Sequence, residues 1–330
     1  MQKSIAIRVD ADCKIGIGHL KRCLSLATYL RSKSKYKIFF IIKHTTEKFH
    51  YLIKKYRFKY FLLKNPISNT SEVISILKKN NIDKLIIDHY RINQIWKKKI
   101  KKNLNCLIVI DDLNRPHLCD YLFKQNLNNS RSIKNKCEIY SGRNYFIIDS
   151  KNNQVDKKKI TNRKKINILI NFGSNDKYNL TCTFLKFLIP LAENINFSVI
   201  IEKKFKYIKE LNKITKTSDI KIYQNLPTIA YLTHKADICF GSGGIHNIER
   251  VRLGKLSYVV VTAKNQIRNI NFLKKKNYIV YLGTHKNFKL EKIDLNNFNP
   301  FFLNKHKKKL LKYFRIDGVK NVSKIISSIK

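Results

Sequence analysis

Two consecutive α/β domains, each built on a parallel sheet flanked by helices, are what this 330-residue sequence predicts. Three observations carry that prediction. Apolar runs of strand length alternate with helical patterns through both halves, as parallel sheets buried on both faces require. Glycine turns follow strands in each half. A polar, Lys- and Asn-rich break over residues 151–165 parts the halves, and the chain is long enough for two separate cores. The N-terminal domain is therefore placed at residues 1–155 and the C-terminal one at 163–330.

In the first half the strand-like runs cover residues 5–10, 38–42, 85–88 and 106–111, with a weaker one at 145–148. The second half restarts at 166–172 and continues with 197–201, 220–223, 237–240 and 258–262. Helical patterns fill the intervals. The final stretches, 304–313 and 319–329, also read as helix and can pack back across the linker. Two such domains imply an interdomain cleft at the carboxyl ends of their strands, where α/β proteins bind ligands.

The formal net charge is +46. Such a value points first to nucleic acid or an anionic surface. Most of it, however, is lysine spread through every segment beside abundant Ile and Asn, which reads as a compositional background of A/T-rich coding. The run Lys97-Lys98-Lys99-Ile100-Lys101-Lys102 is expected on the solvated face of a helix. No RNA-binding aromatic motif or zinc-finger spacing accompanies it, so no specific nucleic-acid partner is predicted. A non-catalytic polyanion-binding protein is the rival reading that the charge alone supports.

Seven cysteines, with no Cys-x-x-Cys pair and several inside apolar runs, predict neither a disulfide framework nor a zinc site. The chain opens on a strand without an apolar leader, and no run reaches the roughly 18 apolar residues of a membrane span. These observations predict a cytoplasmic protein with no membrane insertion. Its oligomeric state is left open, a monomer included.

The densest motif is Arg8-Val9-Asp10-Ala11-Asp12-Cys13-Lys14-Ile15-Gly16-Ile17-Gly18-His19, running into Leu20, Cys23, Leu24, Ala27 and Leu30. A strand, a glycine turn and a helix of period 3.6 place His19 at a helix N-terminus. Gly16 and Gly18 let an anion approach the backbone there, and the helix end disfavours a protonated imidazole. His19 is thus the candidate base. The dinucleotide fingerprint fails, because Lys21 stands where its third glycine belongs. Asp88-His89-Tyr90 ends another strand at the same edge, with capping of the next helix as the competing role for Asp88. Adjacent Asp111 and Asp112 point to opposite sides of a strand, so no metal site is predicted.

In the second half, Phe240-Gly241-Ser242-Gly243-Gly244 leaves a strand and enters a helix carrying Glu249 and Arg250. Ser242, Gly243 and Gly244 suit a diphosphate cradled by backbone N–H groups, and Glu249 can reach ribose hydroxyls. Gly173-Ser174-Asn175-Asp176 is a second glycine turn in the same domain. Asn265 and Gln266 follow a third strand, and their amides suit sugar hydroxyls or acetamido groups.

Taken in order, these motifs resemble the PseG family of nucleotide-sugar hydrolases in pseudaminic acid biosynthesis. The matching residues are Arg8-Val9-Asp10-Ala11 with Gly16, Gly18 and His19, Arg22-Cys23-Leu24, Asp88-His89-Tyr90, and Asp111-Asp112-Leu113 with Arg115 and His117. They continue through Cys119-Asp120, Gly173-Ser174-Asn175-Asp176, Asn179-Leu180-Thr181, Gly243-Gly244, Glu249-Arg250, Asn265-Gln266 and Asp317-Gly318. The resemblance implies two Rossmann-like domains in a GT-B arrangement, with UDP held mainly by the second. It implies that His19 is catalytic, that Asp10, Gly16, Gly18, Tyr90, Asn265 and Gln266 contact substrate, and that neither metal nor other cofactor is used. Two departures stand out: Asp12 where the family usually has serine, and Ile245-His246 where small polar residues are usual. The expected partner is a UDP-sugar, specifically a UDP-2,4-diacetamido-2,4,6-trideoxyhexose hydrolysed by water at its anomeric carbon. A GT-B glycosyltransferase using a sugar acceptor is the alternative.

Overall fold

A computed structural model describes residues 3–11, 17–34, 36–43, 47–65, 69–113, 115–128, 137–148, 165–173, 176–191, 194–216, 220–226 and 229–329. The chain divides into two units, Met1–Ser150 with Ile316–Lys330, and Lys151–Arg315. The polar break at 151–165 lies almost wholly outside the described residues.

Unit 1 holds strands β1 (Ser4–Val9), β2 (Lys37–Ile42), β3 (Lys59–Leu62), β4 (Lys84–Asp88), β5 (Cys106–Asp111), β6 (Tyr121–Lys124) and β7 (Glu138–Tyr140). Its helices are α1 (Gly18–Ser34), α2 (Glu47–Lys55), α3 (Ser71–Lys79) and α4 (Gln94–Lys101). The sheet runs in the order β3-β2-β1-β4-β5-β6-β7, all pairs parallel. The central strands β1, β4 and β5 are buried along their whole length, which is why their sequences are unbroken apolar runs. After β1 the chain winds outward through β2 and β3, then returns to the other side of β1 with β4. That reversal opens a crevice at the carboxyl ends of β1 and β4.

Unit 2 repeats the design with β8 (Ile166–Asn171), β9 (Ile195–Ile201), β10 (Ile220–Gln224), β11 (Ile238–Ser242), β12 (Leu256–Val261) and β13 (Val280–Thr284). Helices α5 (Leu180–Leu188), α6 (Ile208–Thr215), α7 (Ala230–Lys235), α8 (Ile245–Arg252), α9 (Ile267–Lys275) and α10 (Pro300–Phe314) flank it. The parallel order β10-β9-β8-β11-β12-β13 puts the reversal at β8 and β11.

Three expectations need correction. The last helix, α11 (Gly318–Ser328), belongs to unit 1, so the C-terminal unit ends at Arg315 and not at 330. Val319, Val322 and Ile326 of α11 join Cys23, Ala27 and Leu30 of α1 in one core, and Asp317 caps it by accepting from the Lys320 N–H. Residues 145–148 form no strand. Their apolar side chains are buried, but the Ile147 N–H donates to the Gln125 side chain at 2.8 Å instead of to a neighbouring strand. Finally, Lys97 is buried, not solvated: it sits on the inner face of α4 with Trp96 and Ile100, and its Nζ donates to His117 Nδ1 at 2.7 Å. Burial, aided by the nearby Arg115 charge, pushes its pKa down to about 8.

Candidate active site

In unit 1 the catalytic candidate stands where the sheet reverses. His19 lies in the first turn of α1, after β1, and Asp88 is the last residue of β4, paired in register with Val9. His19, Arg22 and Cys23 fall three and four residues apart, on one helix face, and all three reach Asp88. The distances from the carboxylate are 2.5 Å to His19 Nδ1, 2.5 Å to Arg22 Nε and Nη2, and 3.4 Å to Cys23 Sγ. Asp88 therefore does not cap the next helix. Asn93 does, accepting from the Trp96 N–H at 2.9 Å.

Burial alone would raise the Asp88 pKa, but the charges and hydrogen bonds of Arg22 and His19 outweigh it and hold the carboxyl well below the usual carboxylate range. An ionised carboxylate only accepts hydrogen bonds, so the proton on the His19 ring belongs on Nδ1. Its Nε2 then carries the lone pair, with no hydrogen-bond partner among the described residues. The ring is further fixed by the Tyr90 ring, edge to face at 4.5 Å between centroids, and by close approach of Arg22 Nη2 at 3.0 Å. Tyr90 in turn donates from its hydroxyl to Asp112 at 2.8 Å.

Around this dyad the charges neutralise each other. Arg8 binds both oxygens of Asp10, at 2.5 and 2.9 Å, and Asp10 also accepts from His89 Nε2 at 2.9 Å and the Lys43 N–H at 2.8 Å. Asp10 is thus held by the protein on both oxygens. Asp111 has other partners than Asp112, accepting from Arg115 at 3.0 Å and His117 at 2.8 Å, while Arg115 donates to the carbonyls of His89 and Tyr90 at 3.2 and 2.5 Å. Gly18 begins α1, and Gly16 lies outside the described residues.

In unit 2, Gly173 follows β8, and Ser242 ends β11 with Gly243-Gly244 after it, so Gly173 and Ser242 stand together at that sheet's reversal. A Cβ added at Gly173 would lie 3.8 Å from Ser242 Oγ. The two helix ends behind these turns differ. At α5 the Asp176 carboxylate accepts from the Leu180 and Thr181 N–H groups at 3.0 and 2.7 Å, which closes that end to an anion. At α8 no side chain caps the helix and its first turn holds no acid. Among the described residues no side chain accepts there, and the Asn247 N–H turns back to the Gly244 carbonyl at 3.0 Å.

Gln266 joins this turn. Its side chain is tied to the Thr262 N–H and hydroxyl, and a Cβ at Gly243 or Gly244 would stand 3.2 or 3.8 Å from its amide atoms. Asn265, its neighbour in the same 3₁₀ turn, is exposed. Glu249 is buried, and its Oε2 binds His246 Nδ1 at 2.7 Å, so the unusual histidine is the partner of the predicted ribose acid. Ser174 lies outside the described residues. Among the described residues, no three His, Cys, Asp or Glu side chains gather in a metal-holding group. No helix there is long and apolar enough to cross a membrane. Sequence reasoning gave no role to Arg22, although its place one turn after His19 is the signal that finds it.

The fold is of the two-sheet parallel α/β class found in glycosyltransferases and nucleotide-sugar epimerases. MurG of Acinetobacter baumannii aligns over 98% of this chain and 99% of its own, with a TM-score of 0.67 at 12% identity. A UDP co-structure of Staphylococcus aureus MnaA aligns over 99% and 96% (TM-score 0.65, 12% identity). A UDP-GlcNAc 2-epimerase from Neisseria meningitidis bound to UDP-GlcNAc aligns over 98% and 99% (0.64, 11%). No protein-family model matches the chain.

Two curated proteins resemble it in sequence. An uncharacterised protein of Methanocaldococcus jannaschii is 30% identical over 279 residues, covering 80% of this chain but 56% of that protein, so the chain spans little more than half of that relative. The UDP-2,4-diacetamido-2,4,6-trideoxy-beta-L-altropyranose hydrolase of Campylobacter jejuni is 27% identical over 283 residues, 84% of this chain and 98% of that one.

Proposed function

We propose that the chain is a nucleotide-sugar hydrolase, releasing UDP from a UDP-2,4-diacetamido-2,4,6-trideoxyhexose in pseudaminic acid biosynthesis. The His19–Asp88 dyad carries this reading: a buried carboxylate pins Nδ1 and leaves the Nε2 lone pair without a hydrogen-bond partner among the described residues. Water positioned on Nε2 attacks the anomeric carbon, its proton passes to Nε2, and the bond from that carbon to the β-phosphate oxygen breaks as UDP leaves. UDP is a good leaving group, so orienting the water and stabilising the departing diphosphate matter most. The uncapped end of α8, with Gly243 and Gly244, supplies N–H groups suited to that second task, and no metal is required for it. The Campylobacter relative, named for this hydrolysis, supports the choice of substrate.

The test is hydrolysis in ¹⁸O water with EDTA present, followed by mass spectrometry of both products. Label in the sugar, with UDP unlabelled, is the expected result. Label in UDP, or activity abolished by the chelator and restored by a divalent metal, would overturn the mechanism. Glycosyltransferases among the structural neighbours favour the alternative of transfer to a sugar acceptor. Free reducing sugar formed with no acceptor present excludes it.

A further inference from the structure

Three buried arginines are described in this fold, and two of them answer to a carboxylate: Arg8 binds Asp10, and Arg22 binds Asp88. The third, Arg250 in α8, does not. It is 1% exposed, Nη2 donates one long hydrogen bond (3.4 Å) to the Asn171 carbonyl at the end of β8, and Nη1 has no partner among the described residues. Its sequence neighbour Glu249 gives a carboxylate oxygen to His246 instead. Burial lowers the Arg250 pKa, and nearby Cys239 and Glu249 offset that only in part.

A guanidinium cannot shed its proton in a protein, so its charge has to be balanced from elsewhere. Its position says from where. A Cβ built on Gly241 would stand 2.5 and 2.6 Å from the two terminal nitrogens, so the guanidinium lies against Gly241 near the end of β11, just before the Gly243-Gly244 turn. Asn247, one turn earlier on α8, is 0% exposed, and both atoms of its side-chain amide lack partners among the described residues. The same turn leads into the uncapped helix end. A buried guanidinium with no carboxylate bound to it among the described residues and a helix end without a side-chain cap thus belong to one strand–turn–helix segment.

We infer that Arg250 is a positioning residue that supplies buried counter-charge to the phosphates of the nucleotide from beneath the glycine turn, without touching them. The inference rests on the nucleotide reading above. It makes the ligand-free protein pay an electrostatic penalty that a diphosphate relieves. A merely structural arginine would behave in the opposite way, because its removal would loosen the free protein.

Calorimetric titration with UDP and UMP, together with the ligand-free Tm, of the wild type, Arg250→Met and Arg250→Lys tests this. The methionine variant should bind UDP at least tenfold more weakly, with a smaller loss for UMP, and its ligand-free Tm should be no lower than that of the wild type. The lysine variant should keep most of the UDP affinity. Unchanged UDP affinity in Arg250→Met, equal losses for UDP and UMP, or a lowered ligand-free Tm or failure to fold would each overturn the inference. A wild type that binds no UDP would overturn the nucleotide reading itself, and this inference with it.

Discussion

Asp88→Asn should silence the dyad while nearly preserving its shape. The carboxylate, fully buried, faces donors from His19 and Arg22 at 2.5 Å and from Cys23 at 3.4 Å. Asparagine offers one accepting oxygen and one donating amide in its place. An amide turned toward Arg22 sets donor against donor. Turned toward His19, it donates to Nδ1 and drives the ring proton to Nε2, which removes the lone pair that the mechanism uses. Either way the carboxylate left within reach of Arg22 among the described residues is Asp112, at 3.7 Å. Removing one partner from a buried pair costs about 3–5 kcal/mol of stability. Loss of a positioned base lowers turnover by roughly 10²–10⁴-fold.

The assay is kcat at saturating UDP-sugar, with urea unfolding followed from pH 3 to 8. The pH series carries a sign. Asp88 has a depressed pKa, because its partners outweigh the effect of burial, so its stabilising contribution is complete above the ordinary carboxylate pKa of about 4 and is lost as pH falls below it. The variant lacks that contribution at every pH. The stability gap between wild type and Asp88→Asn should therefore be widest at neutral pH and narrow below about pH 4. A variant with wild-type kcat and an unchanged urea midpoint at pH 7 would refute the dyad.

Two further predictions follow from the geometry. Glu249→Ala should weaken UDP binding much more than dTDP binding, since dTDP lacks the 2′-hydroxyl; equal calorimetric losses would reject the ribose role. Lys97→Met should show its greatest stability relative to wild type below pH 8, where the wild-type fold holds a buried ammonium, and urea unfolding at pH 7 and 10.5 should find that advantage shrinking by on the order of 3 kcal/mol. A pH-independent difference would mean that Lys97 carries no such penalty.

Much of this was legible in the sequence, and the failures have physical causes. Strands buried on both faces, such as β1, β4 and β5, must be apolar throughout and so announce themselves. Edge strands need not. β3 is only half buried and β7 has three residues, so neither shows a run. β6 is inner, but it ends in a lysine, and Lys124 is 1% exposed. The segment at 145–148 misled in the other direction, since burial under α11 demands apolar side chains whatever the backbone does. At the site, His19 and the α8 turn were readable because glycine beside a helix start is a local signal. The identity of Asp88 as the partner of His19 was not, because that depends on β4 lying next to β1, 69 residues away along the chain.

The two sheet reversals differ in a way that suits them to different work. In unit 1 almost every charge is answered by the protein itself: Arg8 by Asp10, Arg22 by Asp88, and Arg115 by Asp111. What that network leaves without a partner among the described residues is the Nε2 lone pair of His19, its ring held by Asp88, Arg22 and Tyr90, which is the requirement for handling one proton. In unit 2 the corresponding crevice is left unanswered. Asp176 closes the α5 end, but the α8 end has no side-chain cap, and among the described residues Arg250 Nη1 and the Asn247 side-chain amide lack partners. Unsatisfied donors and a buried cation are unfavourable in the free protein and become favourable only when an anion arrives. The same strand–turn–helix device can thus present a base in one unit and receive a diphosphate in the other, and the difference lies in which side chains the protein supplies to satisfy it.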